Sequence, residues 1–291
     1  MRKKFLRIAD FIIEINQKDA SPIELDEGYE PFVVELDGIQ PDLIVSAYGR
    51  LTDEEIPTGK LLYSAQMPEG ELWNVSQCGE TYIFNIFDAE SPGTLQQICT
   101  TNSLFREWNV YMVSKTDKNS SIEPLKYPLG PLLMYYLTVN HDAIMIHASG
   151  ISDNGLGRIF TGVSGKGKST MARIWFEEGA EVLNDDRLII RKEKDGYTIH
   201  NTPMFYADKP RSSKFNAAYI IRHETENVLE KLSGAMAVSS IAANCIQHGY
   251  DRKMVEHHLN FLSEMVNEIS VQSLGFVPNK SVVQAVRAHD V

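Results

Sequence analysis

The chain has 291 residues, 43% hydrophobic and 23% charged. That is ordinary globular composition, long enough for about two domains and inconsistent with a mainly disordered chain. Lys and Arg number 28 against 39 Asp and Glu, a formal net charge of −11, so the chain as a whole does not attract polyanions and a nucleic-acid partner is not expected.

The opening Met1-Arg2-Lys3-Lys4 carries the positive charge of a signal peptide. Arg7, Asp10 and Glu14 break the apolar stretch that follows, so it reads as a first strand. Residues 1–125 form a β-rich module. Its β-branched or aromatic runs are Phe11 to Ile15, Phe32 to Leu36, Leu43 to Ala47, Tyr82 to Ile86 and Trp108 to Val113, separated by Gly, Pro, Asp and Asn clusters that suggest antiparallel sheet. Cys78, Cys99 and Cys245 show no CxxC spacing, so neither a disulfide framework nor a zinc site is indicated and a reducing, cytoplasmic setting is expected. The polar stretch Lys115 to Ser121 is the candidate linker.

From residue 126 to 291 the pattern alternates. A helix is predicted over Pro131 to Asn140, too short for the ~20 residues of a membrane span. Next come a strand over Ala143 to Ser149, a turn at Asn154 to Gly157, a strand over Arg158 to Gly162, a helix over Lys168 to Glu178 and a strand over Glu181 to Asn184. Asp195-Gly196 between two apolar runs signals a hairpin. Helices over Ala235 to His248 and Lys253 to Asn267, a strand over Ser270 to Leu274 and a helix over Lys280 to Ala288 complete the chain. Such alternation specifies an α/β layer around a mainly buried sheet.

Gly162-Val163-Ser164-Gly165-Lys166-Gly167-Lys168-Ser169 matches G-x-x-x-x-G-K-[ST] at every required position. A predicted strand precedes it, and Met171, Ile174 and Trp175 follow on one helical face. The glycines let backbone N–H groups converge on phosphate oxygens, and the helix N-terminus adds partial positive charge. Lys168 is then placed to reach the β and γ phosphates of a nucleoside triphosphate, and the Ser169 hydroxyl to ligate Mg²⁺.

Asp185 and Asp186 end the strand after that helix, where ligands of parallel sheets collect. One carboxylate can hold the metal and the other take a proton from an attacking hydroxyl; a solvated acidic turn is the plain alternative. His147, alone in an apolar strand, reads from spacing as a core residue. His248, His257 and His258 sit on helical patterns without carboxylate spacing and read as a solvent face rather than a metal site.

Together, His147, Gly162 to Ser169 and Asp185-Asp186 resemble the C-terminal catalytic domain of the HPr kinase/phosphorylase family and its wider HPr-kinase-like group, which shares a core with phosphoenolpyruvate carboxykinase. The spacing is close to the family's own, with 21 residues from the histidine to Lys168 and 18 from Lys168 to Asp186. The resemblance covers roughly residues 130–291, with Thr202-Pro203 and Leu274 to Pro278 as weaker echoes. It implies an α/β P-loop kinase domain with a mixed sheet of this type, preceded here by the β-rich domain. It further implies ATP and Mg²⁺ as cofactors, held by Gly162, Ser164, Gly165, Lys166, Gly167, Lys168, Ser169 and Thr170. Ser169 and Asp185 would serve the metal, Asp186 would accept the proton, and His147 would lie in the active site.

The family segment Leu-Glu-x-Arg-Gly, which supplies a metal-binding glutamate, is absent. Its counterpart, Met204 to Ser213, offers Asp208 as a substitute ligand and Lys209 or Arg211 as phosphate contacts, or is a surface loop. The expected activity is therefore transfer of the γ-phosphate to a hydroxyl, a serine of a protein or peptide other than HPr. The alternatives are a small-molecule kinase and a nucleotide-dependent regulatory module. The family often assembles into rings, which leaves homo-oligomers open.

Overall fold

The computed structural model describes residues 2–36, 38–50, 56, 58–113, 121–204, 206–246 and 249–289. Of the candidate linker only Ser121 is described, and His248 lies outside the described residues. The chain divides into two compact units, Met1–Asn140 with Pro203–Lys209, and His141–Thr202 with Pro210–Val291.

The first unit carries β1 (Lys3–Ile8), β2 (Phe11–Gln17), β3 (Val33–Val34), β4 (Leu43–Tyr48), β5 (Lys60–Met67), β6 (Gly70–Cys78), β7 (Thr81–Phe87), β8 (Leu95–Thr101) and β9 (Glu107–Met112). They form one sheet in the order β3-β1-β2-β4-β9-β8-β7-β6-β5. It is mixed, not antiparallel as the sequence suggested, because β2 pairs β4 and β4 pairs β9 in parallel. Parallel neighbours need crossovers of a dozen or more residues, and the lengths 18–42 and 49–106 provide them. Of the run at Phe32 to Leu36 only β3 is strand, since Pro31 holds the preceding residues in a 3-10 turn.

Helix α1 (Leu129–Val139) belongs to this unit, so the division falls at 140/141 rather than at 125/126. Its anchor is Tyr136, whose ring stacks on Phe105 at 4.4 Å and meets Trp108 at 5.5 Å and Phe84 at 5.4 Å. Each such ring pair adds about 0.5–1.5 kcal/mol beyond the burial of its area.

The second unit carries β10 (Ala143–Asp153), β11 (Leu156–Thr161), α2 (Lys168–Glu177), β12 (Glu181–Asn184), β13 (Arg187–Glu193), β14 (Gly196–Asn201) and β15 (Ser212–His223). Then come β16 (Val228–Leu232), α3 (Gly234–Ala242), α4 (Arg252–Glu268), β17 (Ser270–Phe276) and α5 (Ser281–His289). The sheet runs β11-β10-β13-β14-β15-β17-β16, with β12 on β10 and β11 also on β15. β11 lies parallel to β15, and β15 to β17. One apolar layer packs Ile146, Ile159, Leu188 and Phe215 with Ile241, Leu262 and Met265 of α3 and α4. The other packs Phe160 and Tyr219 with Met171, Trp175 and Val283 of α2 and α5. Helices thus flank the sheet, as the alternation required. Among the described residues, no helix is long and apolar enough to cross a membrane.

The three cysteines are free, and burial pushes the thiols of Cys99 and Cys245 up, away from thiolate chemistry.

His258 departs from its predicted solvent face. It is 1% exposed on the core stripe of α4, beside Met254, Phe261, Leu262 and Met265. Burial, helped by His257, pushes its imidazole down to about 4. The unfolded ring binds a proton below about pH 6.5 while the folded ring stays neutral until about 4. The folded state therefore loses stability as pH falls through that window, at up to about 1.4 kcal/mol per pH unit. Urea unfolding at pH 7 and pH 4.5 should show a smaller acid penalty for His258→Leu than for the wild type; equal penalties would mean that the ring is not held neutral.

Candidate functional site

The glycine-rich segment predicted from sequence joins β11 to α2. Ile159 and Phe160 bury β11 in the two apolar layers and fix where the turn begins. Gly162 has φ +158°, and a Cβ there would sit 3.0 Å from the main-chain O of Ile221. Gly167, the N-cap of α2, has φ +94°, and a Cβ there would sit 2.9 Å from the Phe276 ring and 3.3 Å from that of His223. Glycine is therefore required at both positions, by conformation and by space. Ser164, Gly165 and Lys166 are exposed on the turn, and the Lys166 N–H closes it by donating to Val163 O at 3.2 Å.

Met171 N–H donates to Gly167 O at 2.8 Å and starts the helical ladder. The N–H groups of Lys168, Ser169 and Thr170 precede that ladder and, with the helix dipole, suit an anion. Ser169 is exposed and Thr170 half-buried on this first turn. Lys168 is 7% exposed. Its Nζ donates to Gly162 O at 2.8 Å. Burial pushes its ammonium down, against the pull of the Asp186 carboxylate.

β12 and β13 run along the same side of β10, with Gly150 opposite Asn184 and His147 opposite Arg187. Asp185 and Asp186, both half-buried, bridge the gap as a two-residue kink, and Ala148 N–H donates to Asp186 O at 3.0 Å. On the other side of β10, Ala148 faces Thr161, the residue before Gly162. The acidic kink and the loop entrance therefore flank one residue, each about 4.8 Å away by strand spacing.

His147 Nδ1 lies 3.1 Å from Asp186 Oδ1 and 2.8 Å from Asp186 O. Arg187 Nε lies 3.3 Å from Asp186 Oδ2. The hydrogen bond from His147 is the main force holding the Asp186 carboxyl below the usual carboxylate range; burial opposes it, and Arg187 and Lys168 assist. His147, Lys168 and Asp186 are thus electrostatic neighbours. The core reading of His147 from spacing does not hold, because its side chain is 43% exposed.

Several positioning residues escaped the sequence reading. Asn184 is 2% exposed, and its Oδ1 accepts from Asp186 N–H at 3.1 Å. Its Nδ2 donates to Thr202 O and Oγ1, each at 3.3 Å. An Asn two residues before a kink is a recognisable Asx-turn signal. The main-chain O of Asn244 accepts from His147 N–H at 2.9 Å, a contact that no local pattern could announce.

Of the substitute ligands, Asp208 and Lys209 fall in Pro203–Lys209, which groups with the first unit. Arg211 pairs with Glu181 at 3.2 Å, at the end of β12 away from the acidic kink, so its role as a phosphate contact is not supported.

No family model matches the sequence, and no curated protein matches it. Among solved structures, the chain is similar to the Hpr(Ser) kinase/phosphatase from Coxiella burnetii, at 10% identity over 50% of this chain and 95% of that one, with a TM-score of 0.30.

Proposed function

We propose that the second unit is an ATP·Mg²⁺-dependent phosphotransferase that moves the γ-phosphate to a hydroxyl, a serine of a protein or peptide. The observation that carries this reading is the juxtaposition, across one residue of β10, of a buried lysine in a glycine-lined helix N-terminus and a His147–Asp186 pair. The loop suits phosphate, since the N–H groups of residues 168–170 precede the helical ladder that starts at Met171 and are free to turn to an anion. The Ser169 hydroxyl and the Asp185 carboxylate are hard oxygen donors of the kind Mg²⁺ takes together with substrate phosphates. When bound, Mg²⁺ would neutralise charge on the phosphates.

In this reading Lys168 and the N–H groups of residues 168–170 bind and orient the terminal phosphates. The His147–Asp186 pair removes the proton of the attacking hydroxyl, and Asn184 holds the kink in register. The net charge of −11 argues against a nucleic-acid acceptor. The missing glutamate segment favours a second reading, a module that binds nucleotide without transferring phosphate.

Purified protein incubated with γ-labelled ATP·Mg²⁺ and a cell extract should label a serine-bearing acceptor. Nucleotide binding without any labelled acceptor would instead establish the second reading.

A further inference from the structure

The surroundings of the imidazole decide which atom of the His147–Asp186 pair takes the proton. His147 Nδ1 lies between two oxygens, the main-chain O of Asp186 at 2.8 Å and its Oδ1 at 3.1 Å. A carbonyl oxygen can only accept, so the ring nitrogen facing it must carry the hydrogen. A neutral imidazole protonated at Nδ1 has its lone pair on Nε2. Among the described residues, nothing hydrogen-bonds Nε2, and the side chain is 43% exposed.

Asp186 is committed elsewhere. Oδ1 faces His147, Oδ2 faces Arg187 Nε at 3.3 Å, and the Asp186 N–H is held by Asn184. The backbone of His147 is tied at both ends: its N–H donates to Asn244 O at 2.9 Å, and its O accepts from Thr161 Oγ1 at 2.8 Å. Thr161 immediately precedes Gly162, so the ring is set in register with the loop.

Resting on the phosphotransferase reading, we infer that His147 Nε2 accepts the proton of the attacking hydroxyl and that Asp186 is its positioning residue. The sequence resemblance implies Asp186 as the proton acceptor instead, with His147 in the active site. In the step, the acceptor O–H bond breaks and its proton goes to Nε2. The freed oxygen pair bonds the γ-phosphorus, and the bond from that phosphorus to its bridging oxygen breaks, leaving its electron pair on the β-phosphate. The imidazolium is stabilised through Nδ1–H by the Asp186 carboxylate and returns its proton to solvent. With water as acceptor, the same step yields inorganic phosphate.

The test is phosphate release from ATP·Mg²⁺ by the full chain, alongside binding of a fluorescent ATP analogue. His147→Ala should bind the analogue as the wild type does, release phosphate about 100-fold more slowly or worse, and regain activity with added imidazole. Asp186→Asn keeps the main-chain oxygen that orients Nδ1, so it should lose less than the histidine variant. Nitrogen NMR of the wild-type His147 ring should show the proton on Nδ1. A His147→Ala protein within a few-fold of wild type beside an inactive Asp186→Asn, or a ring protonated on Nε2, would overturn the inference and leave the phosphotransferase standing. A wild type that binds the analogue but neither releases phosphate nor labels an acceptor would remove both.

Discussion

Lys168→Ala is expected to lose ATP binding and phosphate transfer together while its fold survives. Lys168 is the first residue of α2, buried, with its ammonium on Gly162 O at 2.8 Å. Phosphate oxygens would replace that carbonyl as the partner, turning a hydrogen bond to a neutral group into one between opposite charges. Such contacts contribute about 1.5–3 kcal/mol, or roughly ten- to more than a hundredfold in affinity. Transfer should fall further, because charge on the γ-phosphoryl oxygens needs a fixed cation aimed at it; losing one such electrostatic donor costs on the order of 10²–10³ in rate.

Stability should change little. Truncation removes a charge whose burial is unfavourable and leaves the Gly162 carbonyl short of a donor, and these two effects oppose each other. Titration of a fluorescent ATP analogue, with thermal unfolding as the control, separates the outcomes. Undiminished binding by a folded Lys168→Ala protein would mean that the loop does not hold phosphate.

What the sequence made legible is what local chemistry determines. The glycine-lysine spacing, the strand before it and the one-sided helix after it all depend on residues close in the chain, and β11 and α2 fall where they were expected. The Asp195-Gly196 hairpin joins β13 to β14 for the same reason. β5, β6, β8 and β16 were missed because Gln, Ser, Asn, Glu, Thr or Lys interrupt their apolar residues, and β15 was missed although Ala217 to Ile221 is an unbroken apolar run. Long-range pairing, not propensity, makes the first four strands. The β2-β4-β9 parallel pairs rest on crossovers that no short window spans. His258 carries the same lesson for a single side chain. Histidine composition marks it as polar, whereas its position on the Met254-Phe261-Met265 stripe marks it as core, and the stripe prevails. At the candidate site the sequence brought out His147, Lys168 and Asp186, which the structure places as electrostatic neighbours. The main-chain oxygen that faces His147 Nδ1 was not readable, because it belongs to a residue thirty-nine positions away.

Asp153→Ala is expected to destabilise the second unit by about 3–5 kcal/mol, the usual cost of removing one partner from a buried charge cluster. Asp153 is 5% exposed and Arg158 1%. Asp153 accepts two hydrogen bonds from Arg287, from Nε at 3.0 Å and from Nη2 at 2.8 Å, and its Oδ2 lies 3.7 Å from Arg158 Nη1. Both guanidinium groups lie over the Trp175 ring, at 5.2 and 5.5 Å from its centroid. The alanine would leave the two cations facing one aromatic ring without their shared counter-charge, and Arg158, unlike the 34% exposed Arg287, could not turn to water instead. At about 2–4 °C per kcal/mol for a unit of this size, melting should fall by roughly 10 °C. Replacing Asp153, Arg158 and Arg287 together by leucine and two methionines should recover much of that loss, since apolar side chains of similar volume remove the whole charge cluster and its desolvation. A single Asp153→Ala variant melting within a degree or two of wild type would show that the cluster contributes little. Arg287 also donates to Glu178 O at 3.3 Å, at the C-terminal end of α2, whereas Lys168 stands at the other end, about 15 Å away along a ten-residue helix. Below the lowered melting temperature, nucleotide affinity should therefore stay near the wild-type value, because the cluster secures the far end of α2 and the loop is set by the packing of β11 and by Gly167 against Phe276.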